Sequence, residues 1–376
     1  ADESGLLAQC SRWGEPAGAG YSKVNLRKTQ TTVGLTAGAR AGMMRLTFPA
    51  RDRASILIDL QHVLSGKKWK VVWSHLRVEE DSTVTGYHLV NGWATERPLY
   101  FAARFSRPFG QAEIFSDGKP VVYDTYRFRS AKEAAGTNLQ FVATYQTTAS
   151  EPILIKVAVS AVSASNALAN LDSEIPNWNF DGLREHTRAR WDQELSRIAI
   201  EGSQEQKETF YTSLYHTFLA PNLYQDIDGK YRGLDQNIHT AKGFTNYTVF
   251  SLWDTYRATH PLFALLQAPR DADMINSMLA HFDQSVEHLL PVWSLQANET
   301  WCMIGYHAVP LSADALAKGC KGCDIARAHD AVKTTALNTH SDTLAPCPTP
   351  GAAPLHHATR PASTHLNTTF ATACTA

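Results

Sequence analysis

Ile153-Leu-Ile-Lys-Val-Ala-Val-Ser160, followed by Ala161-Val-Ser-Ala-Ser-Asn166, is where the sequence changes character. Ile153, Ile155, Val157 and Val159 form a period-two row, interrupted by Lys156 and Ser160, which is the pattern of a strand facing a core. Past Asn166 that period is lost and a helical one takes over. The fold class therefore turns on this junction: β before it, α after it.

Upstream, Met44, Leu46 and Phe48 alternate with Arg45 and Thr47, and Ile56, Ile58 and Leu60 alternate with Leu57 and Asp59. Short strands separated by polar turns such as Phe115-Ser-Asp-Gly-Lys119 predict an antiparallel β-sandwich over 1–165 rather than a parallel sheet. Downstream, Asp181 is the expected cap of a helix through Trp191, Leu195 and Ile198 that Gly202 stops. It belongs to a linker over 166–202. Phe210, Leu214 and Phe218 sit four apart, with Pro221 ending that helix. A further helix is expected from Tyr247 to His260, broken at Pro261, and another carries Met274, Met278 and Phe282 after Asp271. Helices in succession, with no strands between them, predict a separate α-domain over 203–337.

Residues 338–376 differ from everything before them. They hold 9 Thr, 8 Ala and 5 Pro, with no Glu, Lys, Ile, Val, Met, Trp or Tyr. Such a low-complexity segment cannot bury enough apolar surface to offset its ordering entropy, so a disordered tail is expected.

The 376 residues carry a formal net charge of -1, which gives no broad electrostatic grip on nucleic acid or anionic lipid. No run approaches the roughly 18 apolar residues of a membrane-spanning helix. Ala1 to Gly5 carry neither the basic nor the apolar segment of a signal peptide. Six cysteines are sparse: Cys10, Cys302, Cys320, Cys323, Cys347 and Cys374. Cys320-Lys-Gly-Cys323 has the spacing of zinc and redox sites, but without a second pair or a His cluster an incidental pair in a loop is the preferred reading.

Chemistry concentrates between Gly243 and Pro310. Trp253, Trp293 and Trp301 with Tyr247, Tyr256 and Tyr306 are interleaved with Asp254, Glu299 and His307. A sugar presents an apolar ring face and a rim of hydroxyls, so its site wants aromatic platforms beside carboxylates and imidazoles. Glycosidic cleavage adds the need for two carboxyl groups. The bland reading stands beside this one. Aromatics at helical spacing are usually core, Asp254 is in reach of Arg257 three residues on, and a lone histidine such as His307 is commonly a core residue.

The wording of these segments decides more. Tyr247-Thr-Val-Phe-Ser-Leu-Trp-Asp-Thr-Tyr-Arg-Ala-Thr-His-Pro261, Ile275-Asn-Ser-Met-Leu-Ala-His-Phe-Asp-Gln-Ser285, Leu290-Pro-Val-Trp-Ser-Leu295 and Asn298-Glu-Thr-Trp-Cys-Met-Ile-Gly-Tyr-His-Ala-Val-Pro310 closely resemble glycoside hydrolase family 92, the calcium-dependent α-mannosidases. Leu219-Ala-Pro-Asn-Leu223, Tyr231-Arg-Gly-Leu-Asp235, Ile58-Asp-Leu-Gln-His62, Thr85-Gly-Tyr87 and Gly92-Trp93 extend the resemblance over about residues 20–337.

That resemblance implies a β-sandwich followed by an (α/α)6 toroid, of which this chain holds the first helices, with the active site between the two. It implies an exo-acting, inverting α-mannosidase of the α-1,2 type that releases terminal mannose from glycans. A calcium ion would bind the vicinal hydroxyls of the terminal sugar, and acid and base would stand roughly 6.5–9.5 Å apart. Secreted or periplasmic localisation follows in the same way, as do mannose-containing glycans as partners. Carried over residue by residue, Trp253 and Asp254 match the pair that contacts the terminal mannose, while Glu299, Trp301 and His307 are supporting residues near the pocket.

The family's Glu-Gly-Asn-x-Trp-Gln-Tyr acid motif, its Gly-Asn-Glu-Pro-Ser-His-like calcium stretch and its Asn-Asp-Asp-Cys-Gly-like base stretch do not occur here. The opening Gly-His-Thr-Pro-Gly-like segment of the sandwich is missing as well. No catalytic residue and no metal ligand is assigned, and no hydrolysis is expected of this chain by itself. The expectation is a fragment, missing the first strands of the sandwich, whose 3′ end is read out of frame. A non-catalytic glycan-binding module is the alternative. An assembly protein without a sugar role ranks last, because a scaffold has no need for Trp253-Asp254 and the Glu299 motif together.

Overall fold

Alternation in Ile153–Ser160 buries both sides of the strand, not one. Ile153 and Ile155 lie in a core between two sheets, while Lys156, which interrupts the apolar row, is only 2% exposed on the opposite side. Its ammonium sits 4.2 Å from the centroid of the Trp178 ring. Helices cover this side of the sheet, so a polar residue there must find a partner, and the indole face supplies one. The computed structural model describes residues 17–63, 70–123, 130–149 and 151–337. The tail 338–376, the segment Ala1 to Gly5, and Cys10, Cys347 and Cys374 lie outside the described residues.

Two compact units divide at Gly202 and Ser203. In the first, the strands in chain order are β1 (Ala17–Gly18), β2 (Tyr21–Leu26), β3 (Thr31–Ala37), β4 (Ala41–Thr47), β5 (Arg51–Asp59), β6 (Lys70–Glu80) and β7 (Thr83–Asn91). After them come β8 (Arg97–Phe105), β9 (Gln111–Ser116), β10 (Lys119–Pro120), β11 (Glu133–Gly136), β12 (Leu139–Thr147) and β13 (Ile153–Ser160). A nine-stranded sheet runs β1-β2-β3-β4-β13-β8-β7-β6-β11, and a four-stranded sheet runs β10-β9-β12-β5. Every pairing is antiparallel, as in β13 with β4 and β8. The expected turn at Phe115–Lys119 is a two-residue hairpin, Asp117 and Gly118 taking φ of 52° and 72°.

Two helices close the first unit, α1 (Ala164–Glu174) and α2 (Phe180–Leu195). Ser163 caps α1 by accepting from the Asn166 N–H at 3.1 Å. Asn179, rather than Asp181, caps α2, accepting from the Gly182 N–H at 2.9 Å. Asp181 lies in the first turn, where the helix dipole favours its charge and Arg45 pairs with it at 2.9 Å. Leu195 ends α2, earlier than the Ile198 expected, because the Arg197 N–H already bonds the Glu194 carbonyl. Leu171, Ile175 and Phe180 pack with Met43 and Ala158 of the nine-stranded sheet, a second core behind the first.

The second unit opens with α3 (Gln204–Thr217), started by a reciprocal Ser203–Gln206 capping box. Three two-stranded ribbons then occur where no strands were expected. They are β14 (Asn222–Leu223) with β17 (Tyr247–Thr248), β15 (Lys230–Arg232) with β16 (Ile238–Thr240), and β18 (Ser294–Leu295) with β19 (Asn298–Glu299). Pieces of two or three residues leave no period in a sequence, and the pairing of β14 with β17 joins segments remote in the chain.

The single helix expected over 247–260 is likewise absent. Val249 takes φ of 66°, which no helix accommodates, and only α4 (Leu252–Thr255) and α5 (Thr259–Leu266) form. Pro261 does not break α5 but sits in its first turn, where the missing N–H would have had no helical partner. Next come α6 (Ala268–Gln284), α7 (Ala308–Ala317) and α8 (Ile325–Leu337), with Met274, Met278, Val309, Leu311 and Val332 in one core. Cys320 and Cys323 are joined as a disulfide between α7 and α8. No helix among the described residues is long and apolar enough to cross a membrane.

Two histidines flank Phe250 in this core: His260 stacks on its ring and His281 meets it edge-on. His281 is 5% exposed, its Nδ1 has no hydrogen-bond partner among the described residues, and burial pushes its pKa down to about 4. The folded state thus requires a neutral ring, while the unfolded chain protonates near pH 6.5. The stability this neutral ring preserves is complete above about pH 6.5 and is lost as the pH falls toward 4, by up to about 3 kcal/mol. Melting temperatures of the second unit between pH 7.5 and 4 should fall in that window, and His281→Gln should flatten the slope. An unchanged slope would remove His281 as its cause.

Candidate sugar-binding site

Two segments remote in sequence are stitched together by backbone bonds. The carbonyl of Ser294 accepts from the N–H groups of both Val249 and Phe250, at 3.1 and 3.2 Å. The Gln296 N–H reaches Thr248 Oγ1 at 2.7 Å. This holds Val249 in the left-handed region, which costs a β-branched residue about 1–3 kcal/mol. Gln296, Ala297 and Trp301 also have positive φ. Strained backbone gathered around one turn is the kind of feature that binding sites keep.

That turn ends in α4, which carries Trp253 and Asp254. Trp253 is 47% exposed and stacks on no other ring among the described residues. Asp254 is exposed and does not pair with Arg257, whose Nη2 donates to the Tyr256 hydroxyl at 2.9 Å. Instead, the Ser251 hydroxyl donates to Asp254 Oδ2, and the Trp293 indole N–H donates to the same hydroxyl at 2.7 Å. Asp254 Oδ1 carries no hydrogen bond among the described residues.

Glu299 is committed elsewhere. Its Oε1 accepts from the N–H groups of Trp293 and Trp301 at 2.9 and 3.0 Å, and its Oε2 from that of Val292 at 2.9 Å. Burial pushes its pKa up, while the backbone N–H groups of Trp301, Trp293, Val292 and Thr300 favour the ionised form and oppose the shift. With its lone pairs directed at three backbone donors, Glu299 fixes the loop that carries Trp293 and Trp301. Its carboxylate thereby ties Val292, Trp293 and Trp301 into one loop.

His307 lies just before α7, and its ring centroid is 4.3 Å from that of Tyr256. Burial pushes its pKa down, opposed by a hydrogen bond to the Ile304 backbone. Gly305, at φ of 82°, lets the chain pass His307: a Cβ there would come within 2.6 Å of the ring. Four of the five residues singled out in the sequence are tied in by these contacts, and Trp253 stands beside Asp254 on α4. Asp254, Ser251 and Trp293 form a hydrogen-bonded chain, Trp293 and Trp301 share Glu299, and His307 rests on Tyr256 of the α4 turn. Ser251 was missed. Its only signal was the Ser-x-x-Asp spacing Ser251–Asp254, a helix-start pattern.

Two family models match these folds: the glycosyl hydrolase family 92 N-terminal domain over residues 1–160 and the glycosyl hydrolase family 92 catalytic domain over residues 166–376. The chain belongs to glycoside hydrolase family 92. Both matches reach further than the motifs of residues 20–337. The catalytic-domain match takes in α1 and α2, although these helices pack on the sandwich sheet.

A family GH92 α-mannosidase from Bacteroides thetaiotaomicron is 48% identical at a TM-score of 0.86, the match covering 90% of this chain and 45% of that one. The same enzyme has been solved with mannoimidazole. A family GH92 inverting mannosidase from the same organism is 25% identical, with a TM-score of 0.76 over 86% of this chain and 42% of that one. The chain thus spans less than half the length of these relatives. None of the curated proteins compared matches it.

Calcium was implied by the family resemblance. Among the described residues, no group of three or more His, Cys, Asp or Glu side chains is placed to hold a metal. A calcium ion takes about six to eight oxygens. Here Glu299 is engaged by three backbone N–H donors and Asp254 belongs to no such group, so these residues do not make a calcium cage.

Proposed function

We propose that this chain carries the mannose-contacting turn of an exo-acting, inverting α-mannosidase that releases terminal α-linked mannose from glycans, of the α-1,2 type. The observation that supports this reading is Trp253 exposed beside Asp254, whose Oδ1 is uncommitted. A pyranose can lie on the indole while its hydroxyls donate to the carboxylate. Secretion or a periplasmic location fits the Cys320–Cys323 disulfide, since such bonds persist in oxidising compartments.

The acid, base and calcium motifs of the family are not among these 376 residues, and the partly buried carboxylate of the site, Glu299, is engaged by backbone donors. The chain by itself is therefore a binding unit without hydrolytic chemistry. Assayed on an aryl α-mannoside and an α-1,2-linked mannobiose, with and without calcium and with EDTA controls, it should release no mannose. Calcium-dependent release would overturn this, and Glu299 would be the first residue to re-examine. Translating the flanking DNA in all three frames separates an enzyme from a purely glycan-binding module: the enzyme reading requires the missing motifs beyond residue 337.

A further inference from the structure

We infer that Ser251 is the positioning residue of this site: its hydroxyl, oriented by the Trp293 indole, holds one oxygen of Asp254 so that the other is presented to the sugar. The inference deepens, and rests on, the reading of Asp254 as a sugar contact. A serine hydroxyl has one proton and two lone pairs, an indole N–H only donates, and an ionised carboxylate only accepts. With Trp293 Nε1 donating to Ser251 Oγ at 2.7 Å, the serine proton is left for Asp254 Oδ2, so the chain runs Trp293 to Ser251 to Asp254. Each bond polarises the next, and the last is charge-assisted.

The anchor is firm. Trp293 is 7% exposed, and its backbone N–H is bound to Glu299 Oε1 at 2.9 Å. The element being oriented is not firm by itself. The helix α4 has four residues, far below the length that sustains a helix, and Ser251 caps none of its N–H groups. Ser251 therefore acts on the side chain of Asp254 and not on the helix. Asp254 Oδ1, left without a partner among the described residues, is the oxygen available to a ligand.

The test uses the whole chain with 15N-labelled indoles and the variants Ser251→Ala, Ser251→Thr and Asp254→Asn, each checked for an unchanged melting profile. The Trp293 indole proton should shift and exchange several-fold faster in Ser251→Ala, stay in place in Ser251→Thr, and shift in Asp254→Asn, where the hydroxyl loses its charged acceptor. Calorimetric titration with mannoimidazole should show binding weakened about tenfold by Ser251→Ala, the scale of one charge-assisted hydrogen bond. Ser251→Thr should restore it, and Ser251→Ala should add no loss in an Asp254→Ala background. A loss that persists without Asp254, or an indole resonance indifferent to Asp254→Asn, would overturn the inference. If the wild-type chain does not bind mannoimidazole, the sugar-contact reading fails, while the indole resonances still decide the relay.

Discussion

Asp254→Ala, made in a family-length protein built to contain this chain, is expected on the proposed function to lower kcat/KM by roughly two orders of magnitude or more. On the proposed reading this carboxylate accepts from sugar hydroxyls, and hydrogen bonds to a charged acceptor are worth about 1.5–3 kcal/mol each. At about 1.4 kcal/mol per factor of ten, losing two such bonds exceeds a hundredfold. The rival role, an ion pair with Arg257, would make the loss one of stability. Arg257 instead donates to the Tyr256 hydroxyl, and its guanidinium lies 5.5 Å from the Tyr256 ring centroid. Only the half-buried Ser251 hydroxyl loses a partner in the mutant, so melting should move by a few degrees at most. Melting temperature and kcat/KM measured on one preparation separate the two roles. A destabilised mutant with near-normal activity per folded molecule would end the sugar-contact assignment.

Glu299→Ala should do the opposite: unfold the site without directly removing a sugar contact. Three backbone N–H groups, of Val292, Trp293 and Trp301, would lose their acceptor at once. Each buried donor left unsatisfied costs about 1–3 kcal/mol, so a loss of roughly 3 kcal/mol or more is expected even after partial relaxation. Trp301, at φ of 49°, would also lose the bond that holds its strained backbone. Glu299→Gln is the finer probe. Its amide oxygen can serve the two donors that share Oε1, but its NH2 then faces the Val292 N–H. The cost should be about 1–3 kcal/mol, the loss of one acceptor. Chemical unfolding of the three proteins should rank wild type, Gln and Ala in falling order. An Ala variant as stable as wild type would show that Glu299 is free for another task.

The sandwich, the helical character of 203–337 and the family were legible in the sequence for a physical reason. Ile153, Ile155 and Val157, or Met274 and Met278, reveal their elements because burial of one face repeats along a few consecutive residues, and that repeat is local. The long motifs around Trp253-Asp254 and Glu299 identified the family before any packing was known. Local pattern was insufficient wherever a distant residue decides the outcome. Pro261 looked like a helix breaker, yet it opens α5 because its absent N–H falls among the unbonded donors of a first turn. The helix drawn through Tyr247 fails because the Ser294 carbonyl captures the N–H groups of Val249 and Phe250. Lys156 interrupts the apolar row of its strand, and only the Trp178 ring shows why it is buried.

The sequence by itself thus singled out Trp253, Asp254, Glu299, Trp301 and His307 as candidates, since residue types and motif order are written along the chain, but it did not single out Ser251. Tertiary structure alone decided what each of them touches. Ser251 acquires its role from Trp293, 42 positions away. The Glu299 carboxylate becomes a support only when the hairpin it belongs to folds three N–H groups onto it. Hydrogen bonds act over about 3 Å of space without regard to chain separation, and no pattern along the sequence encodes that distance.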